Sequence, residues 1–558
     1  MRSPVAEVLQ VNKTDISRFS AWMSAAAMLL ALAACSDKKT PVDEGGGEKP
    51  TPLTVETIIF EPKVGVPGDT LLFTAVITSS SQNEGDYPVY EWTADGGSFV
   101  EAPPNKQTVR WVSPASSGVF TITAKAKNSV SSSSNKASVF VGTGENLLSQ
   151  SAGQIDLIGT GPDFHYLSTD DVSRGVDVGA YNFTTRTASD AAAPVVRNGT
   201  NVAYSSDGAF ASYTADTSFA GTVTVRPRNL YLSDLNSHTT IRFTKDGSAP
   251  TNTERNVYNY PSFSPNGQLI AYQRWAQSWD GAAPDSFHVY IYDRVQQKRT
   301  KVTYEHPFPR GFFPTFSTDS KWLVYVLDKN RNGQWDLFAS PMTGNNVDGS
   351  LASMVRMTDT GGAIVSGAPK ELKRPPMTWN PVSPILAIAA SDNVLYLVQT
   401  TATGSNVIPV TDVVHATEII WSPEGSQLAA TYSATEGDET HVKVVTVSSA
   451  GVVTERATAL VGDNLRDLAF SPDGKWLLYR VTRGGGSWFN LVDTGAGKIS
   501  SPVPVTRTDP VAASGDYRNV MSLRPAWTSA NLMLYPAFGT STNGTPGIWT
   551  RDLSGLVN

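Results

Sequence analysis

Leu468-Ala469-Phe470-Ser471-Pro472-Asp473-Gly474-Lys475-Trp476-Leu477-Leu478-Tyr479 decides the reading of this chain. An aromatic residue closes a short apolar run, a Ser-Pro-Asp-Gly stretch supplies the chemistry of a tight reversal, and a second apolar run ends at a tyrosine. The pattern recurs at Tyr260-Pro261-Ser262-Phe263-Ser264-Pro265-Asn266-Gly267, continuing to Tyr272, and at Ile419-Ile420-Trp421-Ser422-Pro423-Glu424-Gly425, continuing to Ala429. Weaker copies centre on Tyr204 with Ser206-Asp207-Gly208, Phe316 with Thr318-Asp319-Ser320, Trp379 with Asn380-Pro381, and Trp527 with Thr528-Ser529. After each hairpin comes a further strand, such as Asn229–Asp234, His288–Asp293 or Ile548–Asp552, and often a fourth ending in threonine, as at Ile241–Thr244, Lys301–Thr303 and Pro502–Thr506.

Four strands in a repeat of about forty to sixty residues is the unit of a β-propeller. The anchors and turns resemble the TolB-like propeller repeat of WD-like, PD type. The resemblance covers most of residues 148–558 and implies a propeller, with seven blades expected and six or eight as alternatives. It implies little about function, because one fold serves many. The last unit has no clear fourth strand of its own, so the stretch Gly179 to Arg186 is expected to supply it and close the ring, removing exposed sheet edges.

The grammar changes near Gly142 to Asn146. Residues 53–142 alternate apolar and polar over runs such as Leu71–Ile77 and Val119–Ala124, which suits a small β-sandwich. The segment Tyr90–Phe99 with Val109-Arg110-Trp111 and Gly118-Val119-Phe120 resembles PKD and related immunoglobulin-like modules, with Trp92 expected in the core. Such modules imply a spacer or adhesion unit. The fold class is therefore all-β, an immunoglobulin-like sandwich followed by a propeller.

Residues 1–34 read as a secretion signal. Arg2, Lys13 and Arg18 precede the apolar run Ala21 to Ala34, whose length of about fourteen residues falls short of the roughly twenty needed to span a bilayer. Leu32-Ala33-Ala34-Cys35 resembles the bacterial lipobox, and Cys35 is the only cysteine of the chain. The resemblance implies cleavage before Cys35, lipidation of its sulfur and anchoring to a membrane, since two or more acyl chains hold firmly where one is marginal. Ser36, in place of an aspartate after the lipidated residue, favours the outer membrane. Residues 35–52, centred on Gly45-Gly46-Gly47, read as a flexible tether.

The chain has 558 residues, 40% of them hydrophobic and 17% charged, with formal charge -7 and sequence pI near 5.5. A basic nucleic-acid-binding surface is not supported. No G-x-S-x-G nucleophile elbow occurs, and the chain ends with the propeller, so no α/β-hydrolase partner domain is expected. The six histidines are scattered without zinc-ligand spacing.

Two constellations carry chemistry. In Asp328-Lys329-Asn330-Arg331-Asn332-Gly333-Gln334-Trp335-Asp336, oxygen donors stand where an EF-hand loop begins, so Asp328, Asn330, Asn332, the Gln334 carbonyl and Asp336 form a candidate Ca2+ site. The final bidentate glutamate of such loops is absent, and an Asn-Gly hairpin is the alternative reading. Arg310, Arg374, Arg466 and Arg524 all lie just upstream of aromatic anchors, where propeller chains approach the channel mouth. Together they would attract carboxylate or phosphate, or each would pair with a carboxylate of a neighbouring blade.

The expected function is that of a lipid-anchored, non-enzymatic binding or scaffold protein of the cell envelope, with an envelope protein or glycan as partner. The alternative is an envelope lyase or glycan-active enzyme with its site in the channel, drawing on Tyr260, Glu305 and His306.

Overall fold

The computed structural model describes residues 52–78, 87–142 and, within 146–557, the strands given below with most of their turns. Residues 1–51 and several loops, among them 304–310, 329–334, 511–524 and 539–545, lie outside the described residues. The secretion signal, Cys35 and the tether fall there. Among the described residues there is no helix.

The first domain is a sandwich of two four-stranded sheets. One is ordered Thr54–Glu61, Thr70–Thr78, Thr108–Val112, Ser98–Phe99, and the other Val64–Gly65, Ser132–Val141, Gly118–Lys127, Val89–Ala94. Alternation drives it: Val55, Ile58 and Phe60 of the first strand face Leu71, Phe73 and Ala75 inward while their neighbours meet water. Trp92 and Trp111 sit in the core as the sequence suggested, and each indole N–H is satisfied by a carbonyl, Lys106 at 2.8 Å and Gly96 at 2.9 Å. Gly97, at φ +68°, brings the chain so close that a Cβ would lie 2.4 Å from the Val112 carbonyl oxygen, so no other residue fits there.

From Gly199 onward the described strands form successive antiparallel groups, the first two joined in one eight-stranded sheet by a parallel bridge between Arg228 and Val257. Their first strands are Gly199–Tyr204, Glu254–Phe263, Gly311–Phe316, Met377–Trp379, Glu418–Trp421, Arg466–Phe470 and Ala526–Trp527, here called units 1 to 7. The first strands of units 1 to 3 and of units 4 to 7 touch in succession, and Trp379 of unit 4 bonds Thr315 of unit 3, the arrangement of innermost strands in a β-propeller. Apolar clusters lie between units: Ile385, Leu397 and similar residues of unit 4 meet Ile419, Trp421 and Val445 of unit 5, while Leu386 and Ile388 meet Phe312 and Val324 of unit 3.

The repeated turn holds by one device. In unit 6, Ser471 Oγ donates to Asp473 Oδ1 at 2.5 Å and accepts from Trp476 N at 3.0 Å, while Gly474 takes φ +71°. Ser205 with Asp207, Ser264 with Asn266 and Ser317 with Asp319 repeat it. These turns also bind one another. Ser206 Oγ donates to Pro265 O, Thr318 Oγ1 to Asn380 O, Asn380 Nδ2 to Gly425 O and Gln427 Nε2 to Gly474 O, at 2.6 to 3.0 Å.

Closure differs from the sequence expectation. The strand added to Pro546–Asp552 of unit 7 is Asn146–Ser149, with Trp549 opposite Leu147 and Thr550 opposite Asn146. The stretch expected there, from Gly179 onward, instead belongs to Asp177–Asn182, paired with Asp163–Ser168 and Thr187–Ser189 in a separate three-stranded sheet. Its partners lie close by in the chain, and a short loop costs less closure entropy than a reach to residue 548. Asn146 follows directly on the sandwich, whose last strand ends at Val141. Two cation–π contacts link the domains: Lys63 Nζ lies 4.9 Å from the Trp488 ring, and the buried Arg551 guanidinium 5.1 Å from Phe140.

Candidate functional site at the channel mouth

The end of the ring opposite the Ser-x-Asp-Gly turns is built by a backbone irregularity. Three residues before the aromatic anchor, Asn201, Tyr260, Phe313 and Asp467 take φ of 51°, 55°, 53° and 57°, and each lies in a register shift of its first strand. Bulky side chains seldom adopt this left-handed conformation, which costs on the order of 1–3 kcal/mol and gathers at functional sites. A bulge of this kind re-aims the side chains around it. Tyr260 is thereby set edge-on to Phe313, ring centroids 4.9 Å apart.

Units 4 and 5 depart from the pattern. Pro376 stands at the equivalent position of unit 4, where its ring forbids positive φ, and Glu418 stands there in unit 5 without a left-handed backbone. Between these two first strands lies a cleft of about 570 Å3, with Arg374 at one end and Met377, Trp379, Thr417, Ile419 and Trp421 along its walls. The tryptophans are fixed by hydrogen bonds to the preceding unit: Trp379 Nε1 donates to Thr315 Oγ1 at 3.1 Å and Trp421 Nε1 to the Thr378 carbonyl at 3.2 Å.

Most charged groups nearby hold adjacent elements together. Glu418 accepts the backbone N–H groups of Asp467 and Leu468 at 2.8 and 3.1 Å, spanning units 5 and 6. Asp467 in turn pairs with Arg480 at 2.6 Å. Arg374 is different. It is exposed to solvent, yet protein surrounds its guanidinium closely enough that desolvation lowers its pKa, the nearby Tyr260 hydroxyl acting the other way.

The four arginines read from the sequence do not share a register. Arg310, Arg374, Arg466 and Arg524 stand six, five, four and three residues before their anchors. Arg310 and Arg524 lie outside the described residues. Arg466 is exposed at the start of its strand, and only Arg374 borders the cleft. Tyr260 is at the mouth, while Glu305 and His306 lie outside the described residues.

Of the candidate calcium ligands, Asn330, Asn332 and Gln334 lie outside the described residues. Asp328 and Asp336 are buried, and the Asp336 carboxylate accepts from Arg356 Nη2 at 2.5 Å and Thr358 Oγ1 at 3.0 Å. Among the described residues no group of three or more His, Cys, Asp or Glu side chains is placed to hold a metal.

One ionisable cluster at the mouth end escaped the sequence reading. His288 of unit 2 is buried and its pKa falls to about 4, chiefly by desolvation and then by the charge of Lys301. Its Nδ1 is 3.1 Å from the Thr303 carbonyl oxygen, so the neutral ring donates from Nδ1. Arg274 pairs with it across the strands and reaches Asn256 Oδ1 and the Tyr290 hydroxyl at 2.9 and 3.3 Å.

Residues 53–141 match the PKD domain. This stretch is the sandwich, and it agrees with the resemblance carried by Tyr90–Phe99. No curated protein matches the chain significantly. Solved structures of similar overall form include the oligogalacturonate lyase of Vibrio parahaemolyticus, 11% identical with a TM-score of 0.41 over 88% of this chain and 99% of that one. The β-propeller domain of Cps50 (Swd1) from Myceliophteria thermophila is 10% identical, with a TM-score of 0.34 over 63% of this chain and 95% of that chain. A prolyl endopeptidase is 13% identical, with a TM-score of 0.41 over 72% and 54%. Likeness at this level carries no activity to this chain.

Proposed function

We propose that this chain is a recognition protein of the cell envelope, anchored through lipidated Cys35, whose propeller mouth binds an envelope protein or glycan while the PKD-like sandwich sets it off from the membrane. One observation carries the reading. Around the mouth, Glu418 and Asp467 are engaged in joining strands and units, whereas the cleft offers a cation and tryptophan walls. That combination suits binding and orientation, and it lacks the acid, base and charge stabiliser that a reaction needs among the described residues. Variable loops on a rigid ring suit the same task. No helix among the described residues is long and apolar enough to cross a membrane, so attachment in this reading falls to the lipid.

A photocrosslinking amino acid placed at Thr417, exposed in the cleft, tests it against one at Val295, which is 74% exposed away from the cleft. Irradiation in intact envelopes is expected to give a discrete adduct from position 417 alone. Equal adducts from both positions, or one from 295 only, would remove the mouth as the recognition face.

A further inference from the structure

Arginines of the propeller differ in how their charge is answered. Arg480 is paired with Asp467 at 2.6 Å and Arg356 with Asp336 at 2.5 Å, each charge answered by a carboxylate of its own unit. Arg374 lines the cleft and has no ion pair or hydrogen bond among the described residues. Among the described residues nothing engages its donors, which leaves them to an incoming group in a cleft walled by protein.

The surroundings narrow the choice. A guanidinium fork matches a carboxylate in two parallel hydrogen bonds. A dianion such as phosphate would be answered by one arginine and opposed by Glu418, which lines the same cleft. The walls are Met377, Trp379, Ile419 and Trp421, with prolines at both ends, a surface for an apolar or flat body. The volume of about 570 Å3 falls within the range of roughly 300–1,000 Å3 typical of small-ligand sites.

We infer that the cleft between units 4 and 5 binds a small organic acid, its carboxylate on Arg374 and its body between Trp379 and Trp421. The inference rests on the recognition reading above and names the chemistry of its ligand. Pro376 contributes by denying unit 4 the bulge that fills the mouth elsewhere with Tyr260 and Phe313. Among the described residues, the cleft lies where the two unbulged first strands meet.

The test is a titration of the full chain, in detergent, followed by NMR of arginine Nε–H groups, with the Arg374 signal identified by its loss in Arg374→Lys. Acetate is expected to shift that signal saturably, and acetamide to leave it in place. Phenylacetate should saturate it at a concentration at least tenfold lower than acetate, and phenylacetamide should have no effect. A linear drift shared by acetate and acetamide would overturn the carboxylate assignment, and it would leave the recognition reading standing if the adduct at position 417 still forms. A crosslinked protein that needs its own C-terminal residue, and that phenylacetate fails to displace, would overturn the small-acid assignment in favour of a protein end.

Discussion

The two ends of the propeller are made of the same repeat and built on opposite plans. At the turn end, the polar side chains named above find partners within the ring: Ser471 closes its own reversal, and Asn380 joins unit 4 to unit 5. At the mouth end, strands bend into left-handed residues, His288 is buried without charge, and Arg374 lines the cleft without a counter-ion among the described residues. The difference teaches where stability and function divide. One end spends its polar groups on cohesion, and the other holds groups in states that protein alone does not favour.

The largest effect should come from breaking the cohesive end. Asn380 is 1% exposed; its Oδ1 accepts from Val382 N and Ser383 N at 2.9 Å each, and its Nδ2 donates to Gly425 O. Asn380→Ala strips partners from three backbone groups at once. At about 1–3 kcal/mol for each buried group left unsatisfied, and with some replaced by water, the loss should be about 3–4 kcal/mol in urea unfolding. A loss below about 1 kcal/mol would show that the turn end is no more committed than the mouth.

This contrast was half legible in the sequence. Ser-Pro-Asp-Gly states its own chemistry, so the turn end and the repeat could be read from Ser471-Pro472-Asp473-Gly474 and extended to worn copies such as Thr318-Asp319-Ser320. The structure explains the wear, since Ser320 takes φ 58° in place of glycine and Asn380 does the work of serine with an amide. The mouth was not legible because its defining feature is a backbone state occupied by Asn, Tyr, Phe and Asp, four side chains with no common chemistry. Only its position, three residues before the anchor, recurs. Pro376 is the exception, since a proline there forbids the bulge, and it could have pointed to the cleft. The arginines were grouped only as upstream of anchors, and of the four Arg374 borders the cleft while Arg310 and Arg524 lie outside the described residues. Closure was misplaced because Asn146–Ser149 is too short to show periodicity, while the longer stretch from Gly179 does.

A smaller effect should appear when acid is applied to the mouth end. His288 has a folded pKa of about 4 against 6.5 in the unfolded chain. Between those values the unfolded state binds a proton that the folded state refuses, so stability is full above pH 6.5 and declines as pH falls toward 4. The shift corresponds to at most about 3 kcal/mol at 1.36 kcal/mol per pH unit, and partial solvent access reduces this to about 2. The groups that oppose protonation are Lys301 and Arg274. His288→Gln, which can still donate toward the Thr303 carbonyl, should flatten the decline between pH 6.5 and 4 by that amount. An unchanged slope would assign the acid sensitivity to carboxylates elsewhere.

The smallest effect on stability, and the sharpest test of the asymmetry, belongs to Arg374→Gln. If Arg374 were a latch like Arg480, its removal would strand a buried carboxylate and cost about 3–5 kcal/mol. With no carboxylate paired to it among the described residues, its removal strands no described partner. Stability should then stay within about 0.5 kcal/mol of the parent, as for substitutions away from buried networks. Urea unfolding of the variant beside Asn380→Ala measures both ends of the ring on one scale. A loss above about 2 kcal/mol would make Arg374 a structural residue and give the two ends a single plan. Unchanged stability with phenylacetate binding abolished would separate cohesion from recognition at one side chain.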